Sequence, residues 1–220
     1  MAKKVLGLDE AGRGPVVGPM VLGGAMFYEK DVHLLKKMGV KDSKLLTPKK
    51  REELFKEIKK LVRGHSIVEV SPQEIDQRFS VGSNLNKLEA IKYSEIINEL
   101  RPDKVIIDAP SSNPKGFEIY LKQFLDYKPA IICENYADLN YVEVGAASIL
   151  AKVIRDKRIR EIEEKVKTPV GVGYPHDKRT LKFVEKALNK KEWLRNYVRK
   201  SWFTFQRIKT ENEQKKLGEF

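Results

Sequence analysis

The chain has one cysteine, three histidines and no apolar run close to the roughly 20 residues that span a bilayer. A lone thiol, Cys133, excludes an internal disulfide and fits a reducing compartment. His33, His65 and His176 are scattered, and Cys133 lies in an apolar stretch without metal-pair spacing. Neither a zinc site nor a cysteine nucleophile is supported. The first residues enter a strand pattern at once, with no signal-peptide architecture, and repeats and low-complexity tracts are missing. These absences predict a soluble, intracellular, cytoplasmic protein, with a monomer as the default state.

Negative charge is also in short supply. Against 43 Lys and Arg stand 31 Asp and Glu, a net charge of +12. Such an excess points to a polyanionic partner, nucleic acid first, because Lys and Arg neutralise phosphates and release counterions. A solvated basic surface is the plainer alternative. With 41% hydrophobic content over 220 residues, the chain can bury a substantial core as one domain with an appended helical segment.

What is present begins with Val5 to Pro15, an apolar run bounded by Gly and Pro that ends in two carboxylates, Asp9 and Glu10. Met20 to Tyr28 reads as a second strand, antiparallel to the first. Thr47 with Pro48 opens a helix carrying Leu54, Ile58 and Leu61 on its apolar stripe. A strand over Ser66 to Val70 and a short helix opened by Ser71-Pro72 come next. Asn84 to Leu100 reads as a helix anchored by Leu88, Ile91, Ile96 and Leu100. Strands are expected at Val105 to Asp108 and Ala130 to Cys133, with a helix over Pro114 to Leu125 between them. A long helix, Val142 to Val166, starts with small residues that suit close packing on a sheet. A Gly/Pro loop, Thr168 to Pro175, precedes helical patterns reaching about Lys200. This alternation predicts an α/β layered fold.

Asp9, Glu10 and Asp108 each end an apolar run, and Asp138 precedes the small-residue helix. Strand ends and nearby helix starts can converge on one edge of a sheet. Carboxylates gathered there would bind Mg²⁺ or Mn²⁺ through oxygen. Two such ions about 3.5–4 Å apart activate water and stabilise the leaving oxygen of a phosphodiester. A regular strand would send Asp9 and Glu10 to opposite faces, so β pairing must end or twist there if both are to face one metal. Surface acids at strand ends are the bland alternative. The spacing Gly12-x-Gly14-x-x-x-Gly18 lacks a dinucleotide fingerprint's third glycine and leads towards a strand.

Gly7 to Pro15, with Gly18-Pro19, resembles the opening signature of ribonuclease HII, the type 2 ribonuclease H, of archaeal kind. Asp42-Ser43-Lys44, Ile107-Asp108, Ala137-Asp138, Ala146 to Asp156 and Gly171 to Pro175 continue the resemblance in order. It implies a ribonuclease H-like mixed sheet flanked by helices, with a helical C-terminal segment. Residues 1–175 would form the catalytic domain, 176–210 a basic helical segment packed on it, and 211–220 a flexible tail. The implied enzyme is a metal-dependent endonuclease that cuts the RNA strand of RNA–DNA hybrids, and cuts 5′ to single ribonucleotides in duplex DNA. It would leave 3′-hydroxyl and 5′-phosphate ends, in ribonucleotide excision during replication and repair.

By the same resemblance Asp9, Glu10, Asp108 and Asp138 are the catalytic, metal-binding acids. Gly12, Arg13 and Gly14 match the loop whose backbone reads the ribose 2′-hydroxyl, the group that separates RNA from DNA. Tyr174 matches the tyrosine stacked at the DNA–RNA junction, and Lys44, Ser148 and Lys152 are candidate phosphate contacts. Tyr136 stands where many relatives carry a lysine. A non-catalytic nucleic-acid-binding protein on the same scaffold is the rival reading, which four acids at matching positions oppose.

From His176 onwards, 13 Lys/Arg face 6 Asp/Glu, with Trp193, Tyr197, Trp202, Phe203 and Phe205 among them. Those aromatics either grip a duplex or pack helices onto the core. The spacing of Gln214, Leu217 and Phe220 is that of a sliding-clamp-binding peptide, in which one helical turn presents the three on one face. A sliding clamp is therefore a candidate partner.

Overall fold

Five strands form one sheet in the order β3-β2-β1-β4-β5, within a computed structural model that describes residues 2–40, 46–189 and 192–217. β1 (Lys4–Ala11) pairs antiparallel with β2 (Met20–Tyr28) and parallel with β4 (Lys104–Asp108), which pairs parallel with β5 (Ala130–Glu134). β3 (Gly64–Val70) lies outside β2. The mixed α/β sheet expected from the sequence is therefore present. β1 lies at its centre and is buried along most of its length, as its apolar run demands.

The described residues also form helices α1 (Val32–Lys37), α2 (Pro48–Leu61), α3 (Pro72–Gln77), α4 (Leu85–Leu100), α5 (Pro114–Lys122), α6 (Ala137–Asn140), α7 (Val142–Val166), α8 (Lys178–Asn189) and α9 (Phe203–Leu217). Their starts follow local chemistry. Thr47, Ser71, Asn84 and Asn113 each accept a backbone N–H at a helix N-terminus, three of them ahead of a first-turn proline. Asx and hydroxyl caps of this kind are worth about 1 kcal/mol each.

Two compact units emerge, and neither follows a single cut in the sequence. The first comprises Met1–Ala11, Val21–Glu69 and Ser83–Ile154, and the second Gly12–Met20, Val70–Gly82 and Arg155–Phe220. In the first unit, α7 lies against one face of the sheet because both surfaces are small. A Cβ on Gly7 would overlap the Glu143 carbonyl, and one on Gly23 would sit 2.7 Å from the Ala147 oxygen. On the opposite face Gly24 meets Ile96 of α4.

The core side of α4 includes Ile96 from the expected set but otherwise differs from expectation. Ala90, Tyr93, Ile96 and Ile97 are fully buried, whereas Leu88, Ile91 and Leu100 are only partly so. Ala90, Tyr93 and Ile97 form an i, i+3, i+7 ladder, and the sheet selected this side, which carries a tyrosine. The second unit has its own core around Val16, Val17, Ile159, Phe183, Val184, Leu194 and Phe205. Phe205 is buried there and Tyr197 and Trp202 pack against it, while Phe203 and Trp193 remain exposed. Helix α9 continues through residues 211–217.

Candidate active site

β1 does not break at its two acids. Its pairing with β2 is regular through Asp9↔Gly23, Glu10↔Leu22 and Ala11↔Val21, so adjacent side chains leave on opposite faces. Asp9 points to the face covered by α7, where the Ser148 hydroxyl hydrogen-bonds its carboxylate and the Glu10 N–H donates to Oδ1 at 2.7 Å. Glu10 points to the α4 face, where its Oε2 accepts the Tyr93 hydroxyl at 2.9 Å.

Asp108, at the end of β4, and Asp138, in α6, join Asp9. One carboxylate oxygen from each of the three lies within 4.8 Å of the others, and Asp9 and Asp138 are buried. A backbone device brings Asp138 there. Tyr136 adopts a left-handed conformation (φ 63°) that turns the chain out of β5 into α6. The turn aims the Ala137 N–H at Asp108 Oδ1, at 3.0 Å. Asn135 Nδ2 secures the same turn to the Ala109 and Ser111 carbonyls, at 3.0 and 2.8 Å. A non-glycine residue at positive φ costs on the order of 1–3 kcal/mol and persists where the surroundings enforce it.

The electrostatics follow from crowding. Burial, then Glu10, and more weakly Asp108 push the Asp9 carboxyl well above the usual carboxylate range, against the Ser148 and Glu10 hydrogen bonds. Burial and the charges of Glu10, Asp9 and Glu89 push the Tyr93 phenol up as well, which keeps it a donor to Glu10. Carboxylates so placed repel one another unless a cation lies among them. Three hard oxygen donors converging in a buried setting fit a divalent ion of the Mg²⁺ or Mn²⁺ type.

The second unit holds Gly12, Arg13, Gly14 and Tyr174. Its loop after β1 rises from buried Gly12 (φ 81°) through Arg13 to exposed Gly14, and Tyr174 lies 3.6 Å from the position of a Gly14 Cβ. Gly173 O accepts the Val16 and Val17 N–H groups at 2.9 and 3.2 Å, so the Tyr174 loop and the Gly12–Gly14 loop are fastened together. The buried Arg155 guanidinium lies 5.3 Å from the Tyr174 ring and donates to Val172 O at 2.5 Å.

Among the residues anticipated from sequence, Asp9, Asp108 and Asp138 are thus brought together, with Ser148 bonded to Asp9 and Lys152 one turn further along α7. Glu10 stands outside that triad. Lys44 and Phe220 lie outside the described residues, Gln214 is exposed on α9, and Leu217 closes that helix. Sequence reasoning assigned no role to Tyr93, Arg155 or Arg199. A tyrosine in a helix's apolar ladder was the one available sign, since nothing local shows that an arginine will be buried.

A family model for ribonuclease HII matches residues 6–205. The chain belongs to the ribonuclease HII family. It is accordingly a divalent-metal-dependent endonuclease acting on RNA–DNA hybrids. Ribonuclease HII of Methanocella arvoryzae is 42% identical over 224 residues, covering 100% of both chains. The ribonuclease H2 structure from Pyrococcus horikoshii OT3 superposes with a TM-score of 0.86 at 40% identity, over 94% of this chain and 98% of that one. A PCNA:RNase HII complex from Archaeoglobus fulgidus contains a chain that matches at TM-score 0.75 and 36% identity, covering 83% of this chain and 86% of that chain. Among the described residues, no helix is long and apolar enough to cross a membrane.

Proposed function

We propose that this family member cleaves 5′ to single ribonucleotides in duplex DNA as well as within longer hybrids, leaving 3′-hydroxyl and 5′-phosphate ends. The observation that carries this reading is the convergent triad of buried Asp9 and Asp138 with half-buried Asp108. These three would hold Mg²⁺ or Mn²⁺, while Glu10, bonded to Tyr93, adds negative charge next to Asp9. Bound there, the cations supply Lewis acidity that activates water and stabilises the oxygen leaving the phosphodiester. Ser148 orients the Asp9 carboxylate, and Tyr93 holds Glu10.

The Gly12-Arg13-Gly14 backbone reads the ribose 2′-hydroxyl, since glycines let a main chain come close to a sugar. Tyr174 stacks on the neighbouring deoxyribose and senses the missing hydroxyl through shape. Lys44 and Lys152 contact phosphates. The test is a DNA duplex with one ribonucleotide, end-labelled and incubated with Mg²⁺ or Mn²⁺. A single cut 5′ to the ribonucleotide is expected, absent from an all-DNA duplex and from the Asp108→Asn protein. Cleavage of all-DNA would refute the 2′-hydroxyl reader.

Cation binding is also expected to show as stability. An ion at 100 times its Kd adds about 2.7 kcal/mol to the folded state. At roughly 2–4 °C per kcal/mol for a chain of this size, that is a rise of some 5–10 °C in Tm. Calorimetry with and without Mn²⁺ reads it, and the rise should vanish in a protein lacking Asp9 and Asp138 carboxylates.

The tail is assigned to a sliding clamp. Support comes from the Gln214, Leu217, Phe220 spacing and from the PCNA complex of the Archaeoglobus fulgidus relative. Deleting residues 214–220 should weaken clamp pull-down; unchanged capture would end that assignment.

A further inference from the structure

Arg199 is fully buried, and its guanidinium reaches three backbone carbonyls of one loop. Nη2 donates to Gly12 O at 2.5 Å, Nη1 to Arg13 O at 2.7 Å and Nε to Gly18 O at 3.1 Å. Trp202 Nε1 adds a bond to Gly14 O at 3.1 Å. Three successive carbonyls, those of residues 12, 13 and 14, are therefore held from inside the second unit.

The donor fork is itself immobilised. The Arg199 N–H donates to Val16 O at 2.8 Å, Gly18 N–H donates to Tyr197 O at 2.9 Å, and Val17 bridges to Val198. The next two amides, Lys200 and Ser201, donate to the Asp76 carboxylate at 2.8 and 3.0 Å. The Trp202 ring lies 4.9 Å from the guanidinium, which brings both carbonyl-holding side chains into one stack.

In a planar trans peptide the C=O and N–H point in opposite directions. Fixing the Gly12 and Arg13 carbonyls inward therefore turns the Arg13 and Gly14 N–H groups the other way, towards the exposed side of the loop at Gly14. A buried cation placed among carbonyl oxygens is an expensive way to fill space, because its desolvation must be offset by well-formed hydrogen bonds. An apolar side chain would serve packing alone.

We propose that Arg199, with Trp202, is a positioning residue for ribose recognition: it pre-aims the Arg13 and Gly14 amide donors at the 2′-hydroxyl. This rests on the reading of the Gly12–Gly14 loop given above. Lysine cannot substitute, since a single ammonium lacks the planar fork that reaches three separate carbonyls.

The experiment compares wild type with Arg199→Lys in the full chain. For each protein it measures KM and kcat on a duplex with one ribonucleotide. It also measures Ki for the same duplex with deoxyribose at that position, used as competitor, and Tm. The ratio of Ki to KM reports 2′-hydroxyl recognition and does not depend on the fraction of active enzyme. Wild type should show a large ratio. Arg199→Lys should bring it towards one and lower kcat/KM by about 10²-fold, the scale of a 1 Å misplacement of reacting groups. A variant that merely loses stability would lower Tm and keep the ratio, and that result overturns the proposal while leaving the loop's role intact. A wild-type ratio near one overturns the loop's role, and the proposal with it. Should Arg199→Lys fail to fold, Trp202→Phe keeps the ring and deletes one donor. It should shift the ratio in the same direction, and an unchanged ratio counts against the cradle.

Discussion

Asp9→Asn is expected to stop cleavage while raising the melting temperature of the metal-free protein. The two effects have one cause. Asp9 is buried, feels the charge of its chain neighbour Glu10 and lies within reach of Asp108 and Asp138, so its charge is disfavoured without a cation. Its carboxyl titrates well above its unfolded-state value of about 3.9. A carboxyl shifted upwards contributes stability below the unfolded value, and that contribution is lost as pH rises through the folded one. Wild type without metal should therefore lose stability relative to Asp9→Asn as pH climbs from about 4 to neutrality. At neutral pH the asparagine protein should melt higher, by roughly 2–4 °C for each kcal/mol of relieved repulsion.

Activity should move the other way. Removing a ligand for ions worth several kcal/mol of transition-state stabilisation, at 1.36 kcal/mol per decade, costs about 10³-fold or more. Thermal melts from pH 4 to 8 and a single-turnover cleavage assay check both. An asparagine protein that melts lower than wild type at pH 7 without metal would mean the triad is not repulsive.

Gly7→Ala is expected to damage stability and catalysis together, at a position with no side chain to contribute. The added Cβ would overlap the Glu143 carbonyl carbon and oxygen, and would lie 2.5 Å from Val144 N. These are backbone atoms of α7 and cannot rotate aside, so the helix must move off the sheet. Overpacking of this kind costs about 1–3 kcal/mol, or roughly 2–12 °C in Tm. Moving α7 also moves Ser148 relative to Asp9. A shift of about 1 Å at reacting groups can lower the rate by about 10²-fold. Melting and single-turnover rates read the two effects, and a protein unchanged in both would refute the account of α7 docking.

Much of this was legible in the chain. Capping chemistry is local, so Thr47-Pro48, Ser71-Pro72 and Asn84 announced their helices, and each cap is present. Apolar runs leading into carboxylates announced β1 and β4, although β1 continues past its acids to Ala11. The acids were visible in the same way, and the family signature named them as a set.

What the chain could not show was which side each group would take. Periodicity suggested Leu88, Ile91, Ile96 and Leu100 as the anchors of α4, and only the sheet chose the side that sends Tyr93 to Glu10. Whether Asp9 and Glu10 would share a face depended on β1 staying regular to Ala11, which pairing with β2 enforces over the whole strand. The fastening of Gly12–Gly14 lies beyond any local reading. Arg199 is 187 residues from the glycine whose carbonyl it holds. The sequence alone determined the elements, the acids and the family, since these rest on short-range chemistry. The tertiary structure alone decided the facing of the carboxylates and the burial of Arg199, since both depend on contacts between segments far apart in the chain.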